Sequence, residues 1–205
     1  MEGTVYKSTG SWYTVRTVEG AFYECRIKGK FRLKGIKSTN PVSVGDEVVF
    51  EVDGAIENAQ GIITEIKDRK NYIIRKSVNL SKQTHIIAAN LDQVFLIVTL
   101  NNPPTFTSFI DRFLVTSEAY HIPAILLFNK IDTYKEEELN EIKYLANLYR
   151  EIGYTCIGIS AKTGKNVDKV KELMIGKTSM FSGHSGVGKS TLVNAIEPQL
   201  DLKTK

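Results

Sequence analysis

The run GHSGVGKST, residues 183–191, constrains what this chain can fold into more than any other stretch. It carries G-x-x-x-x-G-K-[ST] at Gly183, Gly188, Lys189 and Ser190, a spacing that suits a tight turn between a strand end and a helix start. Gly183, Gly186 and Gly188 have no Cβ, so the backbone can turn sharply and aim several N–H groups at one anion. His184, Ser185, Val187 and Thr191 complete the expected loop. Lys189 would set a point charge by the β- and γ-phosphates of a nucleotide, and the Ser190 hydroxyl would hold Mg²⁺. The flanks agree. A strand-like run, residues 178–182, leads in, and Leu192, Val193 and Ile196 follow at helical spacing. A helix starting at Lys189 points its positive dipole end at the phosphates. A Gly/Ser-rich surface turn would lack those flanks.

A phosphate loop names no base, but NKID, residues 129–132, does. Ionised Asp132 is acceptor-only, with two oxygens for the adjacent N1–H and N2–H₂ donors of guanine. Adenine offers an acceptor and a C–H there, and such a loss of polar partners costs on the order of 10⁴ in discrimination. Asn129 and Lys130 belong to the same loop. Ser160, Ala161 and Lys162 follow another strand-like run and would supply a backbone N–H to guanine O6. Each stretch alone is common; three of them, each ending an apolar run, point to one guanine-nucleotide site.

The set resembles a translation-factor-type GTPase with its motifs reordered: the base-reading pair precedes the phosphate loop, as in a circular permutation. All three motifs end strands of an expected, mainly parallel α/β sheet, where such sheets bind ligands, so permutation leaves the pocket intact. With a small basic β-domain ahead of it, the chain is similar throughout to the RsgA/YjeQ family of small-ribosomal-subunit biogenesis GTPases. That resemblance implies a cytoplasmic, monomeric GTP hydrolase that uses Mg²⁺ with GTP or GDP and has the small subunit and its rRNA as partners. It also implies a switch threonine and an Asp-x-Pro-Gly after the phosphate loop, and a Cys/His module that would bind Zn²⁺. These elements are not among the 205 residues, and a sequence covering part of a longer polypeptide is the favoured explanation. No residue present reads as a convincing general base, so a guanine-nucleotide-regulated RNA-binding module without hydrolysis is the alternative. An ATPase or kinase with an incidental NKID is a third reading.

Residues 1–68 read as all-β, with runs at 4–7, 12–17, 22–28, 46–52 and 61–67. Alternation puts Tyr23, Cys25 and Ile27 on one face, Val48, Phe50 and Val52 on another, and Ile62, Thr64 and Ile66 on a third. Five short strands suit an OB-fold-like barrel, with an SH3-like barrel giving a similar pattern. Trp12, Tyr13 and Phe22 are assigned to its core. Between Glu24 and Asp46 there is no acidic residue, while Arg26, Lys28, Lys30, Arg32, Lys34 and Lys37 surround Phe31. Such a stretch can hold a phosphate backbone and stack a base; a solvated strand face is the plainer reading.

Residues 69–85 read as a basic, polar connecting segment, with Arg69, Arg75 and Lys76 as possible RNA contacts. From residue 86 to 205 strand and helix alternate, predicting a parallel sheet covered on both sides. Strands fall at 93–100, 124–128 and 155–159. Helical stripes run through Phe106–Leu114, Leu139–Tyr149 and Val167–Met174 and serve packing. Cys25 and Cys156 lie far apart in strand-like runs and read as reduced, buried thiols. No apolar run approaches membrane-spanning length, and no apolar signal segment opens the sequence.

Overall fold

The computed structural model describes residues 1–27, 41–53, 60–76 and 84–204. The chain forms two compact units, Met1–Leu91 and Asp92–Lys205. In the first, β1 (Glu2–Thr9), β2 (Trp12–Thr17), β3 (Phe22–Ile27), β4 (Glu47–Asp53) and β5 (Gln60–Ile66) close a barrel in the order β1-β2-β3-β5-β4. Neighbours are antiparallel except β3 and β5, which run parallel. That arrangement is the five-stranded OB barrel rather than the SH3-like alternative.

Period-two alternation decides what fills it. Val5, Tyr13, Val15, Cys25, Val48, Phe50 and Ile63 are buried inside. Two expectations need correction. Strand β2 turns Tyr13, Val15 and Thr17 inward, which leaves Trp12 outside with the Arg26 guanidinium 3.8 Å from its ring centroid. Phe22 is likewise exposed, against Tyr6 and Arg16. On β5 the core side chains are Ile63 and Ile66, not the set Ile62, Thr64 and Ile66. The register against β4 shifts between Val49 and Phe50, and such a bulge moves following side chains to the other face.

The segment expected to connect the two halves carries β6 (Tyr72–Lys76), which pairs antiparallel with β7 (Thr84–Ala89) inside the first unit. Ala89 N–H donates to Val44 O at 2.9 Å, attaching the hairpin to the chain that enters β4. Just ahead of β6, Arg69 closes on fully buried Asp46 through two 2.6 Å bonds, Nε to Oδ1 and one terminal nitrogen to Oδ2. Arg69 is therefore a structural cation, withdrawn from any RNA-facing role.

The second unit holds a parallel sheet in the order β10 (Thr155–Gly158), β9 (Ala124–Phe128), β8 (Gln93–Val98), β11 (Ser179–Ser182). Strands β8 and β9 are buried along their whole length, as a sheet covered on both faces requires. Phe95, Ile97, Ile125 and Leu127 face α3 (Val167–Met174) and α4 (Lys189–Ile196), meeting Val170 and Leu192. The alternate residues face α1 (Thr107–Ala119) and α2 (Glu136–Ile152), which bury Ile110, Leu114, Ile142, Ala146 and Tyr149. Three glutamates, Glu136–Glu138, occupy the first turn of α2, where the helix dipole favours them. Left-handed Gly153 ends that helix. The thiols of Cys25 and Cys156 are free and buried, and desolvation pushes each up to about 11.

Candidate functional site

Parallel strands put four loops at one edge of the sheet: 99–105 after β8, 129–132 after β9, 159–162 after β10 and 183–188 after β11. Residues of the last three, with the start of the helix after 183–188, line a cavity of about 430 Å³. Asn129, Lys130, Asp132, Ala161, Lys162, Ser185, Gly186, Gly188, Lys189, Ser190 and Thr191 line it, so the NKID carboxylate and the phosphate-loop lysine share one space.

Asn129 organises the site. It is buried, its Nδ2 donating to Val187 O at 2.8 Å and its Oδ1 accepting from Ala161 N–H at 3.0 Å. One side chain thus ties the 183–188 loop to the 159–162 loop. Gly188 is packed so closely on this amide that a Cβ there would collide with Nδ2, and its φ of 100° adds backbone strain to any replacement. A Cβ at Gly183 would come within 2.6 Å of Ile97 O. Lys130 reaches across the same gap, its Nζ donating to Gly186 O at 2.9 Å and to Asn102 O.

The turn presents donors. Helix α4 begins at Lys189, and no hydrogen bond within the protein engages the N–H groups of Gly186, Gly188, Lys189 and Ser190 among the described residues. Together with the dipole of α4 they form an anion cradle. Lys189 Nζ lies across it, donating to Gly183 O at 2.8 Å and His184 O at 2.7 Å, and burial lowers its pKa. Ser190 lines the same cavity. Among the described residues no cluster of three or more His, Cys, Asp or Glu side chains could hold a metal ion. A Mg²⁺ held by one hydroxyl, waters and nucleotide phosphates fits this donor set; an all-protein cage does not.

Several expected residues act from behind the wall. Ser160 is buried and its Oγ accepts Thr163 N–H at 3.1 Å, shaping the turn that presents Ala161 and Lys162. Because Ala161 N–H is taken by Asn129, the Lys162 N–H is the next donor along this loop. Val187 is core, Gly183 lies at the loop's base, and the His184 ring packs on Phe109 with centroids 4.0 Å apart. Thr133, Lys203 and Thr204 also line the cavity. Thr133 adjoins NKID and was findable there; the other two follow no motif. In the first unit only Arg26 of the basic stretch is described; Lys28, Lys30, Phe31, Arg32, Lys34 and Lys37 lie outside the described residues.

Comparisons with known proteins show the family and the fold. The family model described as RsgA GTPase matches residues 66–205, and that described as RsgA N-terminal domain matches residues 2–63. The chain is 74% identical over 204 residues to a Christiangramia forsetii protein named small ribosomal subunit biogenesis GTPase RsgA, covering all of this chain and 65% of that relative. A Flavobacterium johnsoniae protein of the same name is 68% identical, with 63% of its length covered. The chain thus spans about two thirds of the length of these relatives. Among solved structures, YjeQ from Thermotoga maritima matches with a TM-score of 0.79 at 36% identity, over 100% of this chain and 67% of that one. A structure titled as YloQ, a circularly permuted GTPase, matches with a TM-score of 0.71 at 34% identity, over 97% and 64%.

Proposed function

The chain belongs to the RsgA GTPase family, and from that premise we propose that it is the nucleotide-binding and RNA-binding part of a GTP hydrolase that acts in small-ribosomal-subunit assembly in the cytoplasm. The observation that carries the proposal is the cavity that Asp132 and Lys189 share. Asp132 accepts guanine N1–H and N2–H₂, while Lys162 N–H donates to O6. Asn129 ties the two walls together. The free N–H groups from Gly186 to Ser190 take the phosphates, and Lys189 turns from its loop carbonyls to the β- and γ-oxygens. Ser190 Oγ would hold Mg²⁺, whose chemistry when bound is to neutralise charge between those phosphates.

Hydrolysis needs water aligned on the γ-phosphate. Asp132 is the sole carboxylate among the described residues lining the cavity, and it is committed to the base. Intrinsic turnover is therefore slow in this reading, and the ribosomal partner raises it. The same observation favours the second reading, a guanine-nucleotide-regulated RNA-binding module. Single-turnover hydrolysis by the full-length protein, with and without purified small subunits, separates them. Subunit-stimulated phosphate release is expected; equal background release in both samples would leave only the module. GDP, and not ADP, should displace a fluorescent guanine nucleotide. The barrel contributes rRNA affinity through Arg26, Lys28, Lys30, Phe31, Arg32, Lys34 and Lys37, and the protein acts as a monomer.

A further inference from the structure

Helix α2 presents an outward face that its own packing does not explain. Its core side is Ile142, Ala146 and Tyr149. At 100° per residue a solvent-side flank of the helix, reached on turning away from that core side, carries Glu137, Glu141, Tyr144, Leu148, Glu151 and Ile152. Tyr144 is 68% exposed, Leu148 40% and Ile152 62%, forming an apolar i, i+4, i+8 line. The three glutamates have no hydrogen bond or ion pair among the described residues. Neither basic residue of α2 serves this face: Lys143 Nζ donates to Asn140, and Arg150 turns to Asn147 and the Cys156 carbonyl. In a chain of net charge +4, this stripe of some 22 Å is acidic and apolar with no cation in it.

We infer that this face is a docking surface for a basic amphipathic helix of another protein, one with apolar side chains at i, i+4 spacing flanked by Lys or Arg. Charge complementarity selects that occupant. Nucleic acid and anionic membrane surfaces both carry the sign of Glu137, Glu141 and Glu151 and are repelled. A second copy of this chain, packed antiparallel about the Tyr144–Leu148 centre, would set Glu141 against Glu151 across the two-fold axis. A cationic helix meets both requirements: its apolar ridge covers Tyr144, Leu148 and Ile152, and its cations border the three carboxylates.

The test titrates the ¹⁵N-labelled full-length protein with an 18-residue helix-forming peptide of Leu and Lys in that pattern, with a Leu/Glu peptide of the same pattern, and with phosphatidylserine vesicles. Amide shifts confined to α2 with the Leu/Lys peptide alone are expected. Its Kd should rise at least about tenfold in Leu148→Ser/Ile152→Ser and also in Glu141→Gln/Glu151→Gln. GDP affinity and Tm should not change, because these side chains are exposed. Unaltered Kd in the variants, shifts away from α2, equal binding of the Leu/Glu peptide or of vesicles, or a dimer in sedimentation that the serine pair abolishes would each overturn the proposal.

Discussion

Asp132 is the one carboxylate among the described residues that line the cavity, so its exchange is informative. Asp132→Asn replaces one acceptor with a donor, and the guanine N2 amine then meets an N–H₂. GDP affinity should fall by on the order of 10³ to 10⁴, with xanthosine diphosphate favoured instead, since its carbonyl accepts where guanine donates. Equal affinity for GDP in wild type and variant, by calorimetry, would remove Asp132 as the base reader. Lys189 supplies a pH signature. Burial disfavours its charged form and lowers its pKa below 10.5. As pH rises through that lowered value the ammonium is lost and GDP affinity drops, earlier than an exposed lysine would allow. Folding stability moves oppositely: between the folded and unfolded pKa values the unfolded chain binds more protons, so this group's contribution rises with pH. At this scale NKID and GHSGVGKST were legible as fixed spacings, and residues of both line one cavity. What the sequence hid was division of labour. Nothing in the tetrapeptide says that Asn129 spends both amide groups on Val187 and Ala161, nor that the His184 ring turns to Phe109.

Elements were legible where alternation or helical spacing ran uninterrupted. Strands β2, β3, β9 and β11 and helices α2 to α4 fall within a residue or two of their expected places. The hairpin β6–β7 was hidden because its strands are short and mix basic and polar residues with the apolar ones, so no apolar period stands out. Just ahead of it a buried ion pair, Arg69 with Asp46, ties the chain to the turn before β4. Removing one partner of such a pair leaves the other charge desolvated, so Arg69→Ala should cost about 3–5 kcal/mol. Arg69→Met with Asp46→Asn should recover part of that. Urea unfolding measures both, and a loss under ~1 kcal/mol in Arg69→Ala would show that water reaches Asp46. The β5 bulge was equally concealed, since both Ile62 and Ile63 are apolar and sequence alone cannot say which faces in.

The molecule as a whole carries an OB barrel and a permuted GTPase unit; strand-like runs alone foretold a small barrel, with the SH3-like form left open, and alternating strand and helix runs with reordered motifs foretold the second unit. If the barrel supplies rRNA affinity through its basic stretch, Lys30→Ala with Arg32→Ala should weaken small-subunit binding most at low salt. The slope of log K against log salt should flatten by about two, one unit for each phosphate no longer neutralised. An unchanged slope would make that stretch a solvated face. The Asn129 bridge has a consequence of its own. Because a single amide braces both halves of the pocket, filling one half steadies the other before its occupant arrives. Guanosine and pyrophosphate, supplied as separate molecules, should therefore each raise the apparent affinity of the other, and Asn129→Ala should abolish that mutual assistance while both fragments still bind weakly.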